Sequence, residues 1–236
     1  MIIGLIFYKM KTTSIYYICT DIYQQFLEPF LEKINGFMPQ CKKQIIIITD
    51  SKENLKEKYE DKFNLTIFQH YIPHYIWPIN TLFKMKYMLD FWHDADYAFY
   101  FNANLMPYEN FGLNLDENKL YFAEHWFEFN DYKRYNTMQN PYSTSFIDYN
   151  NLPNGIKYCQ GAFFGGNDSK TKEFCEMVVK MLKTDLLHNI IPKWHDESYL
   201  NKYLYTNFSR VGKDIEIIRL REVGNLIEKK FNKSIL

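Results

Sequence analysis

Two adjacent carboxylates, Asp196 and Glu197, directly follow Trp194 and His195 in the sequence. Pro192 and the two acids are typical of the first turn of a helix, where a fixed φ and negative charge are favoured. An indole face can cover the apolar side of a hexose, while one acid holds hydroxyls and the other stabilises a cationic anomeric carbon. The alternative is a helix start with acidic charges and no chemistry, which this string alone favours.

A second string places two amides at the end of an apolar run. Residues 97–101 are largely apolar and are followed by Asn102, Ala103 and Asn104. The pattern predicts a buried strand with two polar side chains at its carboxyl end, spaced by two and so on one side. Ligands bind at the carboxyl ends of strands in open α/β sheets. The alternative is a strand that ends in an Asx turn.

Together the two strings resemble glycosyltransferase family 6, which includes the histo-blood-group A and B transferases, the α-1,3-galactosyltransferases and shorter bacterial relatives. The family has Trp-His-Asp-Glu-Ser followed by Leu-Asn-Lys-Tyr, as found at residues 194–198 and 200–203. Animal members have Asp-X-Asp at the strand end and bind a divalent metal there, whereas bacterial members have Asn-X-Asn, as at residues 102–104. Further matches follow in the family's order over roughly residues 14–206, at 17–20, 49–51, 77–82, 143–147 and 161–166.

Hydrophobic periodicity predicts alternating strands and helices. Residues 52–61 are expected to be a charged, solvated stretch, and residues 126–157 a substrate-side loop region. The repeated strand-then-helix order predicts one mostly parallel sheet flanked by helices. The resemblance implies an α/β, Rossmann-like GT-A fold in a single domain at 14–236, after an N-terminal extension at 1–13. Strands are predicted at 14–20, 45–49, 65–69, 97–101 and 162–164 (the last broken by Gly165 and Gly166), and helices at 21–33, 80–92 (capped by Asn80), 170–187 and 194–205.

Composition excludes some classes of function. The 236-residue chain has 28 Lys plus Arg and 28 Asp plus Glu, and a neutral chain argues against bulk nucleic-acid binding, which needs a basic footprint. His70 and His74 are four residues apart, but Pro73 opposes a shared helical face, so no metal site is expected there. The four cysteines lack Cys-X-X-Cys spacing and are expected to be reduced, mostly buried thiols of a cytosolic protein: Cys19, Cys41, Cys159 and Cys175.

The chain begins with an apolar segment, residues 1–8, that is far shorter than the ~20 residues needed to span a bilayer. We therefore expect no integral membrane segment. The expected location is cytoplasmic, or peripheral at the inner membrane.

The resemblance implies a nucleotide-binding side of the site. Tyr23 matches the position that stacks on uracil, Ile18 lies near the same base, and Trp77 is a nucleotide-side contact. Lys84 replaces a family arginine that touches the donor, which keeps the charge but loses the bidentate fork. The structural alternatives are core packing for Tyr23 and a loop anchor for Trp77.

Asn102 and Asn104 match the donor diphosphate and ribose region. Neutral amides do not supply the charged oxygen cage that Mg²⁺ or Mn²⁺ prefers, whereas amide NH₂ groups can donate to phosphate oxygens. The sequence thus predicts a metal-independent enzyme without a cofactor, for which the UDP-sugar is a substrate. Cations near the C-terminus would then neutralise the leaving UDP, although a solvated basic tail is the alternative; the candidates are Arg219, Arg221, Lys229, Lys230 and Lys233.

The sugar-side roles centre on Glu197. The resemblance implies that Glu197 lies under the anomeric carbon as nucleophile or electrostatic stabiliser, and that Asp196 holds donor-sugar hydroxyls. A retaining outcome is compatible with front-face delivery or with a covalent intermediate. His125 and Trp194 are expected in the acceptor site, with a satisfied surface histidine as the alternative for His125.

Gln160, Gly161 and Ala162 fall where the family sets donor choice. Ala162 resembles the galactose-using members and Gly161 several N-acetylgalactosamine-using ones, so both donors stay open. The predicted function is a retaining α-1,3-glycosyltransferase that moves galactose or N-acetylgalactosamine from a UDP-sugar to a galactose-containing glycan, fucosylated or part of a lipopolysaccharide.

Two alternatives come from other classes of protein. One is a catalytically silent sugar-nucleotide-binding protein on the same fold. The other is a glycosidase that uses Asp196 and Glu197, although adjacent helical residues rarely flank one bond at the roughly 5–9 Å separation that hydrolases need.

Overall fold

The computed structural model describes residues 10–75, 78–125, 140–148 and 151–227. Within these ranges the strands are β1 (Thr12–Cys19), β2 (Lys42–Thr49), β3 (Thr66–Tyr71), β4 (Tyr97–Asn102), β5 (Leu105–Pro107), β6 (Leu120–Glu124), β7 (Cys159–Asn167), β8 (Ile215–Arg219) and β9 (Gly224–Leu226). The α-helices are α1 (Leu27–Ile34), α2 (Leu55–Phe63), α3 (Ile79–Leu82), α4 (Lys84–Asp90), α5 (Asp168–Leu187), α6 (His195–Thr206) and α7 (Leu220–Val223), with 3₁₀ helices at Asp21–Phe26 and Phe208–Arg210.

Seven strands form one mostly parallel sheet in the order β3-β2-β1-β4-β7-β6-β8. Strand β1 pairs in parallel with β2 and β4, as does β2 with β3 and β6 with β8, whereas β7 runs antiparallel to both β4 and β6. Strands β5 and β9 form a separate antiparallel ribbon. The predicted α/β architecture, a mostly parallel sheet flanked by helices as in the GT-A fold, is confirmed.

Helices cover both faces of the sheet because its central strands are apolar on both sides. The side chain of Tyr17 joins the core beneath α1 and stacks on Phe30 at 4.2 Å between ring centroids. The next side chain along the strand, Tyr16, points to the opposite core, formed with α4, α5 and α6, and packs on Trp92 at 5.4 Å. All four cysteines are buried and free of disulfides, as expected.

The structure interrupts two of the predicted helices. The first begins as the 3₁₀ helix and continues as α1, and the second divides at Phe83 into α3 and α4. Asn80 was wrongly predicted as an N-cap, because it lies inside α3. Its side chain instead donates to Thr20 Oγ1 at 3.0 Å and accepts from the Tyr87 hydroxyl at 3.2 Å.

Strand β7 is longer than predicted, since it continues through both glycines instead of being broken by them. Gly165 and Gly166 have φ of 142° and 155°. A Cβ at Gly165 would lie 2.2 Å from the Ala98 carbonyl oxygen, and one at Gly166 would lie 2.1 Å from that of Lys119. Glycine at these positions therefore permits close approach of the neighbouring backbone.

The predicted solvated stretch at 52–61 is also wrong in part, because it contains most of α2. Asn54 caps this helix by accepting from the Glu57 N–H at 3.3 Å, and Leu55 and Tyr59 are its buried residues. The predictions for β1 to β4, α5 and α6 are confirmed, with ends shifted by a few residues. In the part of the chain that the structure describes, no helix combines the length and apolarity needed to cross a bilayer.

Candidate active site

A cleft of about 670 Å³ opens where β1 and β4 end and β7 begins. Because β7 is antiparallel to β4, its amino end lies beside the carboxyl ends of the parallel strands. The sequence strings at 102–104 and 196–197 therefore meet, as predicted for the carboxyl edge of an α/β sheet. Ten predicted site residues line the cleft: Ile18, Tyr23, Lys84, Asn102, Asn104, Gln160, Gly161, Ala162, Asp196 and Glu197.

A buried ion pair lies at the base of this cleft. The Lys84 ammonium is 2.6 Å from Asp196 Oδ2 and donates at 2.6 Å to the Gly161 carbonyl oxygen, and Lys84 is only 3% exposed. The same ammonium lies 4.5 Å from the ring centroid of Tyr100. Burial alone would lower the pKa of Lys84, but Asp196, with smaller contributions from Tyr100 and Glu197, raises it. Lys84 is therefore a fixed positive charge that orients Asp196.

The Glu197 carboxylate is held by a donor on each oxygen. The Gly161 N–H donates to Oε1 at 3.0 Å, and the Tyr158 hydroxyl donates to Oε2 at 2.9 Å. Burial, with a smaller contribution from the negative charge of Asp196, raises the pKa of Glu197 to about 7. Glu197 thus changes charge near neutral pH and is an anion above it.

The backbone of Gly161 binds Glu197 directly and Asp196 through Lys84. Its N–H binds Glu197 and its carbonyl oxygen binds Lys84. A Cβ at this position would lie 2.1 Å from Asp196 Oδ2 and 3.0 Å from Lys84 Nζ. No side chain fits here while the ion pair keeps this geometry.

The two amides at the end of β4 bind each other. Asn102 Nδ2 donates to Asn104 Oδ1 at 2.7 Å, and the Tyr100 hydroxyl donates to Asn102 Oδ1 at 3.2 Å. Asn104 Nδ2 donates in turn to the Ile227 carbonyl oxygen at 3.2 Å. Both amide oxygens are therefore already hydrogen-bonded.

This neutral donor set does not fit a divalent cation, which prefers carboxylate oxygens. Across the described ranges, no three His, Cys, Asp or Glu side chains form a group that could hold a metal ion.

Three predicted site residues lie off the cleft wall or outside the described residues. The backbone N–H of His125 donates to the Tyr158 carbonyl oxygen at 2.9 Å. Burial lowers the pKa of the His125 imidazole to about 4. The backbone N–H of Trp194 donates to Ser198 Oγ at 3.2 Å at the start of α6. Trp77 lies outside the described residues, so its role stays a prediction.

Several residues around the cleft were not predicted from the sequence. Tyr100 could have been found, because it precedes Asn102 by two and must share its side of the strand. Asn80 was assigned a local role, although its contact is with Thr20, sixty positions earlier. The further lining residues are Thr20, Asp21, Ile22, His74, Tyr75, Asn80, Thr81, Tyr100, Ala103 and Leu226.

The family profile for glycosyltransferase family 6 matches residues 3–213. The chain belongs to glycosyltransferase family 6. The chain is also similar to the O-antigen biosynthesis glycosyltransferase WbnI of Escherichia coli, with 33% identity over 208 residues that cover 82% of each protein. The resemblance inferred from the sequence is confirmed, and this glycosyltransferase uses a nucleotide-sugar donor and a glycan acceptor. The match begins within the segment predicted as an N-terminal extension.

Proposed function

We propose that this family 6 glycosyltransferase is a retaining α-1,3-hexosyltransferase that moves galactose or N-acetylgalactosamine from UDP to a galactoside, which can be fucosylated. The main support is the carboxylate of Glu197, held by two donors beside the buried Lys84–Asp196 pair in one cleft. A glycosyl transition state has positive charge at the sugar ring, so a preorganised anion stabilises it where the charge develops.

In this proposal each acid has a separate role. Glu197 stabilises or attacks the anomeric carbon, and its raised pKa means that it performs this role above about pH 7. Asp196 is oriented by Lys84 and binds donor-sugar hydroxyls. His125 and Trp194 contribute to the acceptor side, and Tyr23 and Ile18 to the uracil side.

We propose that the reaction needs no metal ion. The amides of Asn102 and Asn104 provide donors for phosphate oxygens, and they lack the charge that a divalent cation requires. The Ile227 N–H donates to the Asn104 carbonyl oxygen at 2.8 Å, which fixes the chain beside the amide pair just before the basic tail. Cations of that tail are suitable to neutralise the leaving UDP; the tail lysines are Lys229, Lys230 and Lys233.

Donor choice is proposed to depend on Ala162. Gly161 must be glycine because of Asp196, whichever donor is used. The Gln160 side-chain amide donates to the Glu124 backbone oxygen at 3.4 Å and is thereby tied to the neighbouring strand. The methyl group of Ala162 is then the side chain that can restrict space beside the sugar, which favours UDP-galactose without excluding UDP-N-acetylgalactosamine.

A donor panel tests this function directly. The purified enzyme is incubated with UDP-galactose, UDP-N-acetylgalactosamine, UDP-glucose or UDP-N-acetylglucosamine, with fucosylated and plain galactosides, in the presence and absence of EDTA. We expect transfer from the galacto-configured donors only, equal with and without chelator. Activity that collapses in EDTA and returns with Mn²⁺ contradicts metal independence. Donor binding without transfer or hydrolysis would instead support a silent sugar-nucleotide-binding protein.

We further propose that the enzyme is cytoplasmic and associates peripherally with the inner membrane. Tyr142 and Leu187 are 86% and 83% exposed, and Ile191, four residues after the end of α5, is also exposed. Lys180 and Lys183 are exposed on the same helix. Exposed apolar side chains bordered by lysines are suited to an anionic lipid surface.

Co-sedimentation with vesicles of phosphatidylglycerol and phosphatidylethanolamine tests this association. We expect binding that weakens in salt and in the Lys180→Glu, Lys183→Glu variant, because each lysine near an anionic surface adds about 1 kcal/mol. Lys56→Glu on α2, which packs on the other face of the sheet, is the matched control. Equal sedimentation of all three proteins contradicts the proposal.

A further inference from the structure

Tyr158 contacts both Glu197, the predicted catalytic residue, and His125, a predicted acceptor-site residue. Its hydroxyl donates to Glu197 Oε2 at 2.9 Å, and its carbonyl oxygen accepts from the His125 N–H at 2.9 Å. The rings of Tyr158 and His125 meet edge to face at 5.8 Å between centroids. Tyr158 is only 7% exposed, so its position is fixed by packing as well as by these hydrogen bonds.

The other groups that face Glu197 act on its charge or on its other oxygen. Asp196 is negative and opposes the ionisation of Glu197. Lys84 favours ionisation, but its ammonium is bound to Asp196 and to the Gly161 carbonyl oxygen. The Gly161 N–H also favours the ionised form, but it binds Oε1, so Oε2 depends on the Tyr158 hydroxyl.

We propose that Tyr158 is a positioning residue that keeps Glu197 ionised and oriented for glycosyl transfer. A hydroxyl that donates to a carboxylate stabilises its charged form and also fixes the torsion of the side chain. This inference rests on the catalytic role proposed for Glu197. It adds that a neutral neighbour of Glu197 lowers the pH at which this carboxylate ionises, against burial and Asp196, which raise it.

The Tyr158→Phe variant removes the hydroxyl and keeps the ring. Loss of this donor raises the pKa of Glu197, so the acidic limb of the kcat–pH profile, which we expect near pH 7 in the native enzyme, should move up by about one pH unit. Below the limb this corresponds to about tenfold lower turnover than that of the native enzyme at the same pH. Well above the limb the difference should be much smaller.

Tyr121→Phe is the matched control. Tyr121 is also a buried tyrosine of this sheet, and its hydroxyl accepts from the Asp116 N–H at 2.6 Å, with no contact to Glu197. This variant also loses a hydrogen bond but should keep the acidic limb in place. An acidic limb that stays in place in Tyr158→Phe, whether kcat is native or uniformly lower, overturns the proposal, because Tyr158 then has no influence on the ionisation of Glu197.

A second measurement separates this proposal from the catalytic assignment. Because the pKa of Glu197 is raised in the folded state, Glu197 favours folding at low pH, and this contribution is lost as pH rises through about 7. The difference in unfolding free energy between the native enzyme and Glu197→Gln, measured as a function of pH, reports this loss without an activity assay. Tyr158→Phe should shift the loss to higher pH, even if Glu197→Gln proves active and the catalytic role is wrong. No shift in this curve contradicts the positioning role.

Discussion

The backbone of Gly161 contacts the charged groups of the cleft on both sides. Its N–H and carbonyl oxygen bind Glu197 and Lys84, while Asp196 occupies the space where a Cβ would stand. Donor selection was the role predicted for this residue, and the structure adds a requirement that is independent of the donor. For Gly161, the property that the site requires is the absence of a side chain.

Gly161→Ala should inactivate the enzyme and destabilise it. A Cβ 2.1 Å from Asp196 Oδ2 forces the ion pair apart, and overpacking of this kind costs about 1–3 kcal/mol. Displacement of Asp196 and Glu197 by about 1 Å is enough to lower kcat by roughly 100-fold. Steady-state kinetics and denaturant unfolding measure the two effects.

Gly212→Ala is a suitable control for this substitution. Gly212 has a φ of 81° and no atom within 4 Å of an added Cβ, so alanine there pays only the backbone strain of about 1–2 kcal/mol. Its kcat should stay near that of the native enzyme. A Gly161→Ala enzyme with native kcat contradicts the proposed geometry.

At the scale of elements, one buried aspartate fixes a segment that the sequence analysis recognised only as a matching string. Asp185 of α5 is 1% exposed and accepts from the Ser143 hydroxyl at 2.6 Å and from the Thr144 N–H at 2.7 Å. The Tyr199 hydroxyl of α6 donates to the same carboxylate at 3.1 Å. The segment at 143–147 is thereby held against α5 and against α6, the helix that contains Asp196 and Glu197.

The central strands could be predicted because each is an apolar run of ordinary length between turn residues. The errors arose where a tertiary contact determined the local structure. Asn80 resembled an N-cap but binds Thr20, and Gly165 resembled a strand end but allows close strand pairing. Strands β6 and β8 were not predicted, although they pair in parallel with each other.

The same difference between local sequence patterns and tertiary contacts explains which residues of the candidate site could be predicted. Asn102, Asn104, Asp196 and Glu197 were identified because each pair forms a short string. Tyr158 was missed as a partner of Glu197 because 39 residues separate them, and no local pattern indicates that hydrogen bond.

In the whole protein, the charged groups of the cleft lower the stability of the fold. The chain has no net charge, yet its sheet edge holds the buried Lys84 and Asp196 together with the half-buried Glu197. Ionisation of Glu197 above about pH 7 opposes folding, since burial and Asp196 both disfavour the anion. Such a cost is expected at a functional site and not in a core that serves stability alone.

Glu197→Gln tests directly whether this carboxylate catalyses glycosyl transfer. The substitution keeps the shape of the side chain and removes the charge, so UDP binding should persist and unfolding free energy at pH 8 should be equal or higher. Glu216→Gln, which removes a carboxylate paired with Lys119 away from the cleft, controls for loss of charge. With saturating donor and acceptor, kcat should fall by about 10²–10³ in Glu197→Gln and stay native in Glu216→Gln. A Glu197→Gln enzyme that retains more than about a tenth of native turnover contradicts the account, because that loss is far smaller than removal of a preorganised catalytic charge produces.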